Sequence, residues 1–524
     1  MPLSNRVICS LLFREDTIGQ FECNSCSCTY RDAQGFTNLM NHLRRFHPGY
    51  EAEGEAALRA ENTLRLRIVD ARTTDIYRWV EWVVMERLPF SFCERRLARQ
   101  NSKMSHISET TLNRYIYEHV EGKITALLPD KFGLVLDGWT SGGRHYVAIF
   151  AVYDDGEPAR TGSSNSDDFF DDLECPSRRF LLLAFSPVDD EEDLSAQSLF
   201  DLIADTLSRY EKPWEYVLFM VGDNCSVNQY IGRREGAIPM VGCASHRFNL
   251  AMKDFLTPEE PLLVRIHSLM RRLCAVRCRA MLRKITPLAP VMRNDTRWSS
   301  VYAMMDRYCR IEPLLRAIDH GTVAEYELES VLLSRRETER AFVLRDDLEK
   351  MEGVTKALQK STLTLSGVRR LFHHVVAAYP QLDDRLGKAA TIVNNAPLES
   401  GIVKLQRHEV LSASERAACA VFKLAEHGND SADATQERPS FVRNAFKRRR
   451  AGRRQRYMDV GFVPPTSNEC ERFFSAAKLV LSDLRKSMDP SKFEAVMSLA
   501  INREHWDVYT VEAIRQQLGP NARD

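Results

Sequence analysis

Two short apolar runs constrain this chain more than anything else in it: Phe132–Leu136 and Tyr216–Val221, closed by Asp137 and by Gly222-Asp223. Runs this short and this uniformly apolar read as strands buried on both sheet faces. Two more runs, Tyr146–Val152 and Phe180–Phe185, read as strands, the first reached through the turn Ser141-Gly142-Gly143. Leu194–Tyr210 carries a helical apolar face, Ile238–Gly242 reads as a fifth strand, and His246–Phe255 as a helix. Three strands, a helix, a strand, a helical turn, a strand and a helix together predict a mixed α/β sheet. From about Val301 to Leu424 the pattern is helical almost throughout, and a helical segment runs from Asn468 to about Trp506, interrupted near Pro490.

At 524 residues the chain exceeds one compact core, which predicts two to four domains. No apolar run is long enough to cross a bilayer and no signal-peptide pattern opens the sequence, so no membrane role is expected. The 13 cysteines, mostly scattered singly among apolar residues, predict reduced intracellular thiols. The formal net charge of zero hides segregation. Asp154–Asp193 holds thirteen acidic against three basic residues, and Arg443–Arg456 holds eight basic and no acidic ones. Within the second stretch, Lys447, Arg448, Arg449 and Arg450 read as a nuclear localisation signal or a DNA-backbone patch, with a solvated basic linker as the alternative.

Near the N-terminus, Cys23-x2-Cys26 and His42-x4-His47 offer two thiolates and two imidazoles, the number a tetrahedral Zn²⁺ shell needs. The histidines fall on an expected helix, Phe36–Phe46, with Arg44 and Arg45 between them, suited to phosphate. A domain this small has little core, so the metal would supply much of its stability. The segment resembles a BED-type zinc finger, with Phe13 as the one aromatic where that family usually carries a tryptophan.

Hard Mg²⁺ takes oxygen ligands, and two or three carboxylates suffice if a rigid scaffold converges them. Asp137 and Asp223, each just past a buried strand, would share one sheet edge if the strands are parallel neighbours. Aspartate is also common past strand ends because it suits turns, and spacing alone leaves both roles open. For a third carboxylate, Thr466-x2-Glu469 has capping-box spacing, which would fold Glu469 back on its helix. Cys470, Phe473, Phe474, Ala477 and Leu481 form an apolar stripe that leaves Glu471 to one side, free to face a cleft or solvent. Cys243-x2-His246 supplies only two ligands and cannot complete a second zinc site. Arg297-Trp298 would suit a phosphate and a stacked unpaired base, with a buried tryptophan as the alternative.

Five segments in order carry a resemblance: Asp137-Gly138-Trp139-Thr140-Ser141, Gly222-Asp223-Asn224-x3-Asn228, Cys243-x2-His246-Arg247-Phe248-Asn249-Leu250, Asp295-Thr296-Arg297-Trp298-x-Ser300, and Pro465-Thr466-Ser467-x3-Glu471-Arg472-x-Phe474-Ser475. With them the chain resembles the hAT superfamily of DNA transposases and their domesticated descendants. The resemblance implies an α/β fold in which an RNase H-like catalytic domain is interrupted by an all-helical insertion, beside the small N-terminal zinc finger. It implies a catalytic triad of Asp137, Asp223 and Glu471 holding Mg²⁺ or Mn²⁺, cleavage and transfer of double-stranded DNA, and a homodimer or higher oligomer in the nucleus. It brings His246, Arg297 and Trp298 to the DNA, with a packed core cysteine and a hydrogen-bonded histidine as the alternative at Cys243 and His246. The apolar Phe493, Val496, Met497, Leu499, Ala500 and Trp506 become a subunit interface, with ordinary core as the alternative. The expected divisions are 1–50 zinc finger, 51–128 helical DNA-binding or assembly region, 129–300 first part of the catalytic domain, 301–460 helical insertion and basic linker, and 461–524 final helix and dimerisation region. The alternative function is a catalytically silent, dimeric DNA-binding or regulatory protein.

Overall fold

A computed structural model describes residues 5–17, 20–31, 36–54, 69–117, 120–156, 173–187, 196–233, 238–294, 298–424, 456–481 and 488–518. Arg297, Lys447, Arg448, Arg449, Arg450 and most of the acidic stretch lie outside them. The chain forms two compact units, Met1–Ile124 with Ser491–Asp524, and Thr125–Pro490.

In the first unit, strands β1 (Phe13–Thr17), β2 (Gln20–Cys23) and β3 (Thr29–Arg31) pair antiparallel in that order, followed by helix Thr37–Phe46. Ile8, Cys9, Leu12, Phe13, Leu39, Met40 and Leu43 make up most of their small core. A second core gathers around helix Ala71–Met85, whose N-cap Asp70 accepts from the Thr73 N–H. Ile76, Trp79, Val80, Val83 and Val84 point inward at helical spacing and meet Val496, Leu499, Trp506, Val511 and Ile514 from the far end of the chain. Phe493 and Met497 are also buried. The apolar face expected to meet another subunit there is core within the chain itself.

The second unit is built on a five-stranded sheet in the order β6-β5-β4-β7-β8: Arg178–Pro187, Arg144–Asp154, Phe132–Ser141, Val217–Gly222 and Met240–Gly242. β4, β5 and β6 pair antiparallel, while β7 and β8 continue from β4 in parallel. β4 outruns its apolar half because its polar half, Asp137–Ser141, pairs with Arg144–Ala148 across a hairpin. Gly142 and Gly143 close that hairpin with φ of +60° and +82°, the pair of left-handed residues that a tight turn between twisted strands demands. One close approach is fixed by sequence: a Cβ on Gly133 would sit 2.1 Å from the Phe219 ring on β7.

Helix Ala196–Arg209 makes the crossover to β7. Beyond β8 the described residues are mainly helical through Ala378, over a core that runs from Ala244, Phe248 and Met252 through Met304, Met305 and Tyr308 to Leu348 and Phe372. Mixed α/β architecture with a small N-terminal finger and a mostly helical body is the outcome.

Candidate functional site

The finger brings Cys23, Cys26, His42 and His47 together, with their ligand atoms all within 4.8 Å of one another. A knuckle sets the cysteines: the Cys23 N–H donates to the Cys28 carbonyl at 2.9 Å, and the Ser27 N–H to the Cys23 carbonyl at 2.8 Å, with Ser27 left-handed at φ +55°. Cys23 Sγ lies 3.6 Å from His47 Nε2, and Cys26 Sγ lies 3.3 Å from His42 Nε2. Zn–S near 2.3 Å and Zn–N near 2.05 Å at a tetrahedral angle put sulfur and nitrogen about 3.6 Å apart, so the donor set fits zinc. The second nitrogen of His42 is held by the Tyr30 hydroxyl at 2.8 Å, which orients the ring as a metal ligand requires. Burial, then the neighbouring His47, lowers the His42 pKa and keeps that imidazole neutral. The Cys28 N–H, then His47, lowers the Cys26 thiol to about 7, favouring thiolate. Phe13, standing where the sequence lacks a tryptophan, is buried and meets the His42 ring edge-on at 5.8 Å. Arg44 and Arg45 are exposed on the same helix.

In the second unit the acidic residues converge. β4 and β7 pair in parallel with Val135 opposite Val221, so two residues further Asp137 stands level with Asp223 on the same sheet face. Asp137 lies inside a paired strand, opposite Ala148, rather than in a turn. Its Oδ1 accepts from the Gly138 N–H at 2.8 Å. The helix Asn468–Val480 then lies against β4. Cys470 Sγ donates to the Val135 carbonyl at 3.8 Å, Phe473 meets Phe150 and Phe185 edge-on, and Phe474 stacks on Trp139 at 5.8 Å. With that face inward, Glu471 comes within electrostatic reach of Asp137 and His246. The capping box expected at Thr466 and Glu469 does not form. Ser467 is the N-cap, without a side-chain cap bond, and Glu469 pairs with Arg472 instead. Glu471 remains the carboxylate turned to the aspartates.

Burial, reinforced by the Asp223 charge and then by Glu471, pushes Asp137 up to about 8 against the pull of the Gly138 N–H and His246. His246 lies beside Asp223, Nδ1 to Oδ2 at 3.1 Å, and this hydrogen bond raises its pKa despite burial. Asp137, Asp223, Glu471 and His246 thus lie within electrostatic reach of one another, and burial favours the protonated form of Asp137. Their oxygens do not meet within the 4.8 Å that the zinc ligands satisfy, as the finger is the one such cluster among the described residues. Carboxylates that share two ions a few Å apart need not converge that tightly.

The proton makes an expectation. An unfolded aspartate titrates near 3.8 and Asp137 near 8, so without a cation the fold loses stability as pH rises through that window. A divalent cation held by these carboxylates would have to displace that proton, so a Mn²⁺-induced rise in melting temperature at this site should be larger at pH 9 than at pH 6.5. Asp137→Asn should abolish the difference. Equal Mn²⁺ shifts at the two pH values in the wild-type protein would refute the assignment.

Cys243 is a core thiol: fully buried, pushed up to about 12 by burial, and accepting from the Ser467 N–H at 3.4 Å. It ties β8 to the segment leading into the Glu471 helix. Trp298 is buried against Phe248 in the helical core, the packing alternative its sequence context left open, which removes its ring from a solvent-facing stack. Sequence reasoning passed over Arg247 and Glu399, which pair at 3.1 Å in the interior directly behind His246. Nothing in the sequence signals a pairing between residues separated by 152 positions.

Residues 12–48 match the BED zinc finger family. Nothing among curated proteins matches the chain. The N-terminal finger is thus a BED zinc finger holding zinc through Cys23, Cys26, His42 and His47, and it gives the chain a DNA-binding module.

Proposed function

We propose that the chain is a hAT-type, transposase-like protein that binds double-stranded DNA through its finger and cleaves and transfers strands through Asp137, Asp223 and Glu471. The observation that carries this reading is the level placement of Asp137 on β4 and Asp223 just past the end of its parallel neighbour β7, with Glu471 brought within electrostatic reach by a helix more than two hundred residues away in sequence. A three-stranded antiparallel sheet extended by two parallel strands, with a helical body inserted before the Glu471 helix, supports an RNase H-like domain. The donor set fits Mg²⁺ or Mn²⁺, because hard cations take carboxylate oxygen, and a cation would relieve the burial and the Asp223 and Glu471 charges that raise Asp137. When bound, such ions activate an attacking hydroxyl and steady the leaving oxygen. The chain's own part is positioning: the rigid strands hold the aspartates, and Asp223 fixes the His246 ring through its Nδ1. A nuclear location suits a DNA enzyme, and any homodimer or higher oligomer has to form through surfaces other than the buried residues after Phe493.

Incubating zinc-loaded protein with supercoiled plasmid and Mn²⁺ tests the proposal. Nicked or joined product is expected from the wild type and none from Asp137→Asn or Glu471→Gln at matched DNA binding. Binding by all three proteins with no Mn²⁺-dependent product from any would replace it with the reading of a silent DNA-binding regulator.

A further inference from the structure

From Pro261 to Asn294 the chain holds eight arginines and lysines and no acidic residue. The stretch covers helices Glu260–Cys274 and Val276–Ile285, joined through Ala275. Their inner faces are apolar and buried: Leu262, Leu263, Ile266, Leu269 and Leu273 on one, Cys278 and Leu282 on the other. All the charge is therefore driven outward. On the second helix Val276, Arg277, Ala280, Arg283 and Lys284 share the exposed side, with Val276 87% exposed among them.

Some of this charge is already used. Arg265 pairs with Glu337, Arg272 with Glu327, Arg277 with Glu325 and Arg293 with Glu260, and Arg279 donates to the Leu288 carbonyl. Among the described residues Arg271, Arg283 and Lys284 have no carboxylate partner, and all three are exposed. Arg272 and Arg277 pair with Glu327 and Glu325, two residues apart, which joins the two helices into one surface around Tyr326. On a chain of zero net charge, exposed cations without a carboxylate partner on two consecutive helices that share the Glu325–Glu327 ion pairs call for a polyanion.

We propose that this face is a second contact surface for duplex DNA, with Arg271, Arg283 and Lys284 on backbone phosphates. Duplex DNA is the polyanion the chain already has a module to recognise, so the inference rests on the BED finger and not on strand cleavage. Phosphate contacts of this kind position the duplex without reading its sequence.

Fluorescence anisotropy with zinc-loaded full-length protein and a labelled random-sequence duplex tests it, run in the wild type and in an Asp137→Asn background so that cleavage plays no part. Each phosphate neutralised contributes about 0.9 to the slope of log K against log salt, so Arg271→Gln/Arg283→Gln/Lys284→Gln should lower that slope by about 2–3. Arg271→Lys/Arg283→Lys should keep it, which separates lost charge from lost fold. An unchanged slope in the triple variant overturns the proposal, as does duplex RNA of equal length binding more tightly through the same three residues. Failure of the plasmid-cleavage test leaves both outcomes readable.

Discussion

Removing zinc should unfold residues 12–48 outright. The finger's core consists of about eight buried residues from Ile8 to Leu43, of which Cys23 is itself a ligand. Apolar burial on that scale cannot offset the chain entropy of ordering the segment. Structural zinc in fingers of this size contributes about 10–16 kcal/mol of apparent binding free energy, which is folding free energy because no site exists in the unfolded chain. The expected readouts are one equivalent of zinc released by a chromogenic chelator from this site, loss of amide protection across β1–β3 and helix Thr37–Phe46, and loss of finger-dependent DNA binding. Cys23→Ser and His47→Ala should each reproduce this. Binding is also proton-linked, since both thiols must ionise: burial raises Cys23, so zinc affinity should already fall as pH drops toward neutrality, and more steeply below about 7 where Cys26 also takes up a proton. A finger that keeps its protection after chelation would mean that packing alone holds it.

Local patterns told most about this chain. The zinc ligands were legible because each pair is set by one knuckle or one helical turn, distances that sequence spacing encodes directly. The five strands of the larger sheet are legible as apolar runs, yet the run Phe132–Leu136 covers only the first half of β4. Its second half, Asp137–Ser141, shows the alternating burial of a strand with one exposed face, which no continuous run reveals. That misplacement mattered, because a strand-end aspartate is a turn residue by default and a mid-strand one is not. Glu471 is separable from Glu469 by its side of the helix, although Arg472 and not a capping box occupies Glu469. Trp298 could not be resolved, since an aromatic beside an arginine looks alike in a core and at a DNA surface. The basic face at Arg271–Lys284 was passed over because its charges alternate with core residues instead of standing in a run. Counting acidic residues over the same window would have found it.

Glu399→Ala should cost about 3–5 kcal/mol, the loss expected when one partner of a buried ion pair is removed and its counter-charge is stranded. Glu399 and Arg247 have side chains only 3% and 2% exposed, 3.1 Å apart, and Arg369 Nη2 lies 3.6 Å from the same carboxylate. Burial pushes the Glu399 carboxyl up, while Arg247, Arg369 and the Gly242 amide pull it back down. Arg247 spends its remaining donors on the Arg385 and Gly387 carbonyls. Without Glu399, two guanidiniums would face each other with no anion between them. Glu399→Gln keeps a hydrogen-bond acceptor and roughly the volume, so it should lose less. Native-state hydrogen exchange in helices Ala244–Leu256 and Ala396–Gln406 reports the loss locally, without requiring the two units to unfold together. Because Arg247 follows His246 on the same helix, loosening this anchor should also weaken the His246–Asp223 contact and lower the His246 pKa, visible in its imidazole resonances. Protection within about 0.5 kcal/mol of the wild type in Glu399→Ala would show that water or the neighbouring carbonyls already satisfy Arg247, and that the buried pair adds specificity without stability.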